Sequence, residues 1–306
     1  MVDSLRIATR QSALALWQAH HVKQQIETAH PGLEVTILGM TTEGDRNKRS
    51  PLSQIGGKGV FVKELEVALL DGRADIAVHS MKDVPSVLPP ELTISAMCER
   101  EDPRDALVCN KYDNLEELPA GAKIGSSSLR RRLQLKLARE DLVYEELRGN
   151  VDTRLRKLDE DHYDAIILAA AGLKRLQLGD RISQAISTTV SIPAAGQGAV
   201  GIECRADSAD LIALLDAIND PETYDCVTCE REVSIGLGAN CNLPVAAFAE
   251  IVGANIQLNT YVSDTTGGVT IKLAAEGPRS DAREMAKSLT IQMIAQGADK
   301  LIDSHS

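Results

Sequence analysis

Cys241 lies in Gly238-Ala239-Asn240-Cys241-Asn242-Leu243-Pro244, a stretch dense in turn-forming residues. A helical pattern precedes it and a strand-like run, Val245 to Glu250, follows. A thiol on such a loop is near solvent, where its sulfur can attack or be attacked. The competing expectation is an inert, buried small hydrophobe, the usual state of a free cysteine. What favours chemistry is a second pattern earlier in the chain. Five predicted strands are each followed by hydroxyls or glycine joined to a cation. These segments are Thr9-Arg10-Gln11-Ser12, His79-Ser80-Met81-Lys82-Asp83, Gly125-Ser126-Ser127-Ser128-Leu129-Arg130-Arg131-Arg132, Leu147-Arg148-Gly149-Asn150 with Thr153-Arg154 one turn on, and Gly172-Leu173-Lys174-Arg175.

In open α/β sheets, ligands bind beyond the carboxyl ends of the strands. Each of the five segments is expected at a helix N-terminus, which presents unpaired N–H groups and a partial positive charge. Arginine adds a planar fork suited to carboxylate or phosphate. Cations there oppose the helix dipole, so a ligand is expected to bring the negative charge. Taken singly, each arginine is better explained by a surface carboxylate partner; five strand ends together argue for an anion cleft. Asp83 is the lone carboxylate among these groups. Ionised, it stabilises a developing cation; protonated, it delivers a proton to a leaving group. The other reading makes it a cap for the turn at Val84-Pro85. Gly56-Gly57-Lys58-Gly59 lacks P-loop spacing and reads as a glycine-rich lid carrying one cation.

Composition narrows the classes. The 306 residues suffice for two or three domains, and the 43% apolar fraction supports real cores. Aromatics are only 3%, so those cores rest on Leu, Ile, Val and Ala. The formal charge of −11 argues against nucleic acid and anionic lipid as partners, though not against a local basic cleft. The opening Met-Val-Asp-Ser runs straight into strand-like Leu5 to Ala8, without the pattern of a signal peptide, and no apolar run reaches membrane-spanning length. A cytoplasmic protein with reduced thiols is expected. Cys226-Val-Thr-Cys229 has CxxC spacing, but no second pair lies nearby and the segment reads as helix from Glu222 to Leu237, so two helical cysteines and no metal site are expected.

The elements that must position these groups alternate. Strands are predicted at Leu5–Ala8, Leu33–Gly39, Ile76–His79 and Leu92–Met97, with helices at Ser12–Ala29 and Lys63–Leu70. Glu99 to Asp105, broken by Pro103, reads as a linker. Beyond it come Lys123-Ile124, helix Leu129–Glu140, strand Val143–Glu146, helix Val151–Leu158, strand Asp164–Leu168 and a helix from about Gly172. Such alternation implies mostly parallel sheets. Ile192 to Ala199 marks a second boundary, followed by a strand at Val200–Cys204. After Asn219-Asp220-Pro221 the pattern changes to an α+β unit: one helix, the Cys241 loop, strands Val245–Ile251, Ile256–Val262 and Val269–Ala275, and a final helix from about Ser280.

Six segments together resemble the porphobilinogen deaminase (hydroxymethylbilane synthase) family of tetrapyrrole biosynthesis: Arg6 to Ser12, Gly56 to Glu66, Ala74 to Pro85, Glu99 to Asp105, Leu147 to Asn150 and Pro193 to Ala199. They run in family order through about residue 205; the last third resembles the family more weakly, apart from the Cys241 loop and the start of the next strand. The resemblance implies three domains: two periplasmic-binding-protein-like α/β domains, 1–98 with 199–216 and 104–192, and a smaller C-terminal α+β domain, 221–306, that carries the cofactor. It implies a dipyrromethane joined to Cys241 by a thioether, and head-to-tail condensation of four porphobilinogen molecules with loss of ammonia, then hydrolytic release of hydroxymethylbilane. Every pyrrole carries acetate and propionate, which accounts for the cations.

By motif, Asp83 matches the catalytic carboxylate. Ser80, Lys82, Ser128, Arg130 and Arg131 match cofactor contacts, as does Asp83 itself. Arg10, Ser12, Lys58, Phe61, Ser126, Arg148, Arg154, Arg175 and Gln197 match substrate contacts and the lid. A monomer is expected. Gln54 replaces a frequent lysine, and Ala239-Asn240 replaces a frequent Gly-Gly before the cofactor cysteine, a change that alters the loop because alanine tolerates left-handed backbone poorly. A non-catalytic anion-binding receptor or effector domain of the same fold is the alternative, and it gives Cys241 no role.

Overall fold

The computed structural model describes residues 4–46, 59, 61–239 and 243–303. Lys58, Gln54, Asn240 and Cys241 lie outside the described residues. The chain opens with β1 (Ser4–Arg10), α1 (Ala13–Ala29), β2 (Glu34–Met40), the short α2 (Glu43–Arg46), α3 (Lys63–Leu70), β3 (Ile76–Ser80) and β4 (Leu92–Met97). A second run gives β5 (Asp105–Cys109), β6 (Lys123–Gly125), α4 (Leu129–Ala138), β7 (Val143–Glu145), α5 (Val151–Asp159), β8 (Ala165–Ala169), α6 (Ala170–Arg175) and the two-residue β9 (Gln184–Ala185). Then come β10 (Val200–Arg205), α7 (Ala209–Leu215) and α8 (Pro221–Gly236). The chain ends with β11 (Val245–Val252), β12 (Asn255–Ser263), β13 (Thr270–Pro278), α9 (Ala282–Ala295) and α10 (Ala298–Asp303).

Two compact units result: residues 1–101 with 199–224, and residues 102–198 with 225–306. The first holds a five-stranded sheet, order β2-β1-β3-β10-β4. Alternation along β1 sends Leu5 and Ile7 into a core with Ala19, Val22 and Ile26 of α1, and Ala8 into a core with Leu65, Ala68 and Leu69 of α3. The second unit holds two sheets. One has the order β7-β6-β8-β5-β9 and a core on each face; the other is the antiparallel β11-β12-β13 sheet, packed with residues of α8, α9 and α10. The α/β plus α+β class read from the sequence is the observed one.

The expectation of mostly parallel sheets is corrected. β1 is parallel to β2 and β3, but β10 is antiparallel to both β3 and β4. Likewise β6 is parallel to β7 and β8, while β5 is antiparallel to β8 and β9. Strand–helix alternation fixes direction only where a crossover helix joins neighbours. β10 returns after the whole of residues 102–198, and β5 follows the charged linker directly. β5 itself went unread: its apolar run Ala106–Cys109 is only four residues long and follows a segment dominated by charge. The linker reading of Glu99 to Asp105 is corrected at its end: no element forms over 99–104, but Asp105 already belongs to β5.

Candidate functional site

In the first unit the strand-end groups collect after β1 and β3. Ser12 caps α1, its hydroxyl accepting from Ala15 N at 3.3 Å. Arg10 closes β1, its guanidinium carbon 4.3 Å from the centroid of the Phe61 ring, a cation–π contact. Ser80 ends β3 and is bonded twice to the buried Gln18 of α1: Gln18 Nε2 donates to Ser80 Oγ at 2.8 Å, and Ser80 Oγ donates to Gln18 Oε1 at 3.2 Å. The chain then makes one 3₁₀ turn, Met81–Asp83, closed by Val84 N to Met81 O at 3.2 Å. Met81 is buried, whereas Lys82 and Asp83 are half-buried. Asp83 ends this turn and caps no helix. No described residue is hydrogen-bonded or ion-paired with its carboxylate.

In the second unit Ser128 caps α4, accepting from Arg131 N at 3.4 Å, and Ser126 Oγ accepts from Ser128 N at 3.3 Å. Arg130 and Arg131 sit in the first turn yet turn inward, 4% and 5% exposed. Their partner is Asp105, fully buried at the start of β5. Arg130 reaches it with two nitrogens, at 2.9 and 3.1 Å, and Arg131 Nε donates to it at 2.7 Å. Ser191 Oγ donates at 2.7 Å and Gln197 Nε2 at 2.9 Å. Gln197 Nε2 also donates to Pro103 O at 2.6 Å, and its Oε1 accepts from Arg131 at 3.0 Å. Burial pushes the Asp105 carboxyl up, but the two guanidiniums outweigh it and hold it well below the usual carboxylate range. This hub ties α4 to both Pro103 and the 191–197 segment, because Arg130 also donates to Ile192 O at 2.6 Å. Both arginines thus share one buried carboxylate. Sequence reasoning placed Asp105 in the linker; the signal for it was an acid directly before an apolar run.

Arg148 is half-buried, 3.5 Å from Glu146, and Arg154 Nε donates to Gly149 O at 2.7 Å. Gly149 has φ +121°, and a Cβ there would crowd Thr153, so glycine is required where the chain enters α5. Arg175 is buried and donates to Gly198 O at 2.6 Å. It lies in the last turn of α6, with Lys174, not at an N-terminus as expected. The helix starts at Ala170, directly after β8, because alanine carries the helix from the strand end without a break. Cations in a last turn suit the dipole, so the ligand argument fails for that segment.

The remaining donors suit a polyanion. α1 and α4 have no acidic residue in the first turn, and hydroxyls cap both. α5 departs from this with Asp152 in its first turn. Cys226 and Cys229 are buried on α8, and burial pushes the Cys229 thiol to about 12, which makes it inert. Among the described residues no cluster of His, Cys, Asp and Glu fits a metal ion, and no helix is long and apolar enough to cross a membrane.

Comparison with known proteins gives the same reading. Residues 5–213 match the family model "Porphobilinogen deaminase, dipyromethane cofactor binding domain", and residues 224–295 match "Porphobilinogen deaminase, C-terminal domain". The second match covers the region where motif resemblance is weak. A porphobilinogen deaminase of Laribacter hongkongensis is 50% identical over 298 residues, spanning 97% of both chains. One from Chromobacterium violaceum is 51% identical over 301 residues, 98% of this chain and 97% of that one. Among solved structures, the methionine-binding protein MetQ overlaps 74% of this chain and 94% of its own at 15% identity, TM-score 0.45. A nutrient-binding protein from Burkholderia cenocepacia bound to methionine overlaps 72% and 93% at 16% identity, also TM-score 0.45. With both family models together spanning most of its length and relatives at half identity along nearly all of it, this chain belongs to the porphobilinogen deaminase family.

Proposed function

We propose that Asp83 is the catalytic carboxylate of the porphobilinogen deaminase reaction this chain carries out, and that Cys241 holds its dipyrromethane through a thioether. The reaction is a transferase reaction that joins four porphobilinogen molecules head to tail with loss of ammonia and releases hydroxymethylbilane by hydrolysis. The observation that carries the assignment is the placement of Asp83: half-buried on the single turn after β3, next to Lys82, with no described residue bonded to its carboxylate. Asp105, by contrast, is fully buried at the start of β5 and paired with two arginines.

When bound, the dipyrromethane supplies the pyrrole end on which the product chain is built. Ionised Asp83 stabilises positive charge developing at a pyrrole nitrogen as ammonia leaves, and in its acid form it delivers a proton to the departing amine. Arg10, Lys82, Arg148 and Arg154 neutralise acetate and propionate groups, with Ser12, Ser126 and Ser128 as lesser donors. Arg130 and Arg131, anchored on Asp105, and Ser80, anchored on Gln18, serve with Lys82 and Ser128 as the cofactor contacts, and Arg175 and Gln197 as substrate contacts. Lys58 and Phe61 belong to the lid and its flank, and the α+β part built on α8 to α10 serves as the cofactor-carrying domain. A monomeric, cytoplasmic enzyme without nucleic-acid or membrane partners fits the net charge of −11.

The test is the intact mass of denatured protein beside its Cys241→Ser variant. An excess of one dipyrromethane in the parent, absent from the variant, is expected. A parent that stays unmodified after addition of porphobilinogen would contradict the assignment and leave an anion receptor. Asp83→Ala is expected to fold and to lose nearly all hydroxymethylbilane production; near-normal production would remove Asp83 from its role.

A further inference from the structure

Beneath α3 lies a buried acid–base pair that the reaction as described does not use. His79 Nε2 stands 2.8 Å from Glu203 Oε2, with the two side chains 3% and 1% exposed. Their strands are antiparallel neighbours, His79 opposite Gly201 and Ala77 opposite Glu203. His79 and Glu203 are therefore diagonal neighbours on one sheet face. The same face receives Met81, which packs so closely over Gly201 that a Cβ there would collide with Met81 Sδ. Met81 N continues the ladder by donating to Ala199 O at 3.1 Å. Asp83 follows two residues later.

A buried ion pair seldom stabilises a fold more than apolar residues of the same size; its best-attested use is to specify register. β10 needs that specification. It enters between β3 and β4 after the long excursion through residues 102–198, and against β4 its pairing shifts register between Ile202 and Glu203. A slip of one residue would turn Glu203 into the apolar core under α1 and push a larger side chain beneath Met81. The alternatives are sharply disfavoured. His79 meets only Oε2 of this carboxylate and Oε1 is buried without a hydrogen-bond partner among the described residues, so a register that removed His79 would leave both oxygens buried and unpaired. From α3, Glu66 faces the pair: burial and the charge of Glu203 push its carboxyl up, and His79 draws it back.

We propose that His79 and Glu203 form a register latch that fixes β10 against β3 and so positions Asp83 at the end of the Met81–Asp83 turn. Both are positioning residues. The proposal rests on Asp83 being the catalytic carboxylate.

The test uses full-length holoenzyme. In the double variant His79→Phe/Glu203→Leu the pair becomes apolar, a change that leaves buried sites as stable or more so. The expected result is an unchanged melting temperature, unchanged cofactor mass, kcat lowered at least about tenfold and KM for porphobilinogen within about twofold of the parent. Glu203→Gln keeps a hydrogen bond to the ring and is expected within about threefold of parental kcat, with Glu203→Met far below it. A stable double variant with parental kcat overturns the latch. If the double variant does not fold, a Gln variant no better than the Met variant overturns it. Asp83→Asn runs alongside: parental turnover in that control sinks the Asp83 assignment itself, whereas an inactive control beside a fully active double variant sinks the latch alone.

Discussion

Asp105 shows what a single buried carboxylate does to the arginines around it. Two guanidiniums, a hydroxyl and an amide converge on its two oxygens, so removing it takes away the one buried carboxylate that both guanidiniums share. Asp105→Ala is expected to destabilise the second unit by about 3–5 kcal/mol, read from the denaturant midpoint, with Asp105→Asn milder. Acid acts on the same kind of bond. Asp102, bonded to Arg104 and Lys174, has its carboxyl lowered to about 2. A depressed carboxyl stabilises the fold fully above its unfolded value of about 3.9 and loses that contribution as pH falls towards the folded value. Melting temperature is therefore expected to drop between about pH 4 and pH 2, less steeply in Asp102→Asn. The sequence displayed Arg130 and Arg131 but not their partner, because the acid that claims them is 25 residues away on a strand hidden behind a charged linker. The turn that presents Asp83, by contrast, is local, so the residues that form it are sequence neighbours.

At the scale of elements, legibility followed periodicity. α3 and β4 fall where the apolar pattern put them, and α1 starts after Ser12 as its cap requires. β5 and the short β9 carried too few residues to show a period, and α6 begins two residues early because nothing in Ala170-Ala171 signals a start. What no local pattern could show is the contact of one element with a distant one. Gly201 is the sharpest case. It lies inside β10, where glycine ordinarily weakens a strand, and its reason is Met81 from the turn after β3. Gly201→Ala forces the Met81 side chain out of a fully buried site. The expected cost is about 1–3 kcal/mol of stability, with a loss of turnover because the displaced residue is two places from Asp83. Thermal unfolding and kcat measured on the same preparation check both. A stable variant with normal kcat would mean that the turn tolerates movement of Met81.

Across the whole molecule, the chain leaves the first unit at residue 101 and returns at residue 199 with a strand that goes between β3 and β4. The first 101 residues therefore contain four of five strands and lack the one that joins β4 to the rest. Without β10, β4 has no partner, the His79 side chain loses Glu203, and Val200, Ile202 and Cys204 vanish from the core shared with α1. A fragment of residues 1–101 is expected to show no cooperative thermal transition. The return point makes a sharper test available. Cys98 N donates to Val200 O at 3.0 Å, and Asp220 N donates to Met97 O at 2.7 Å, so the two chain segments run side by side where the excursion begins and ends. Residues 1–101 joined to 199–224 by a short Gly-Ser linker should regain the transition, because the linker has little distance to span and adds little closure entropy. Circular dichroism of the two proteins through a thermal scan compares them directly. Cooperative melting of the shorter fragment would mean that the four strands form a stable sheet without β10, and the latch between His79 and Glu203 would then have nothing essential to hold.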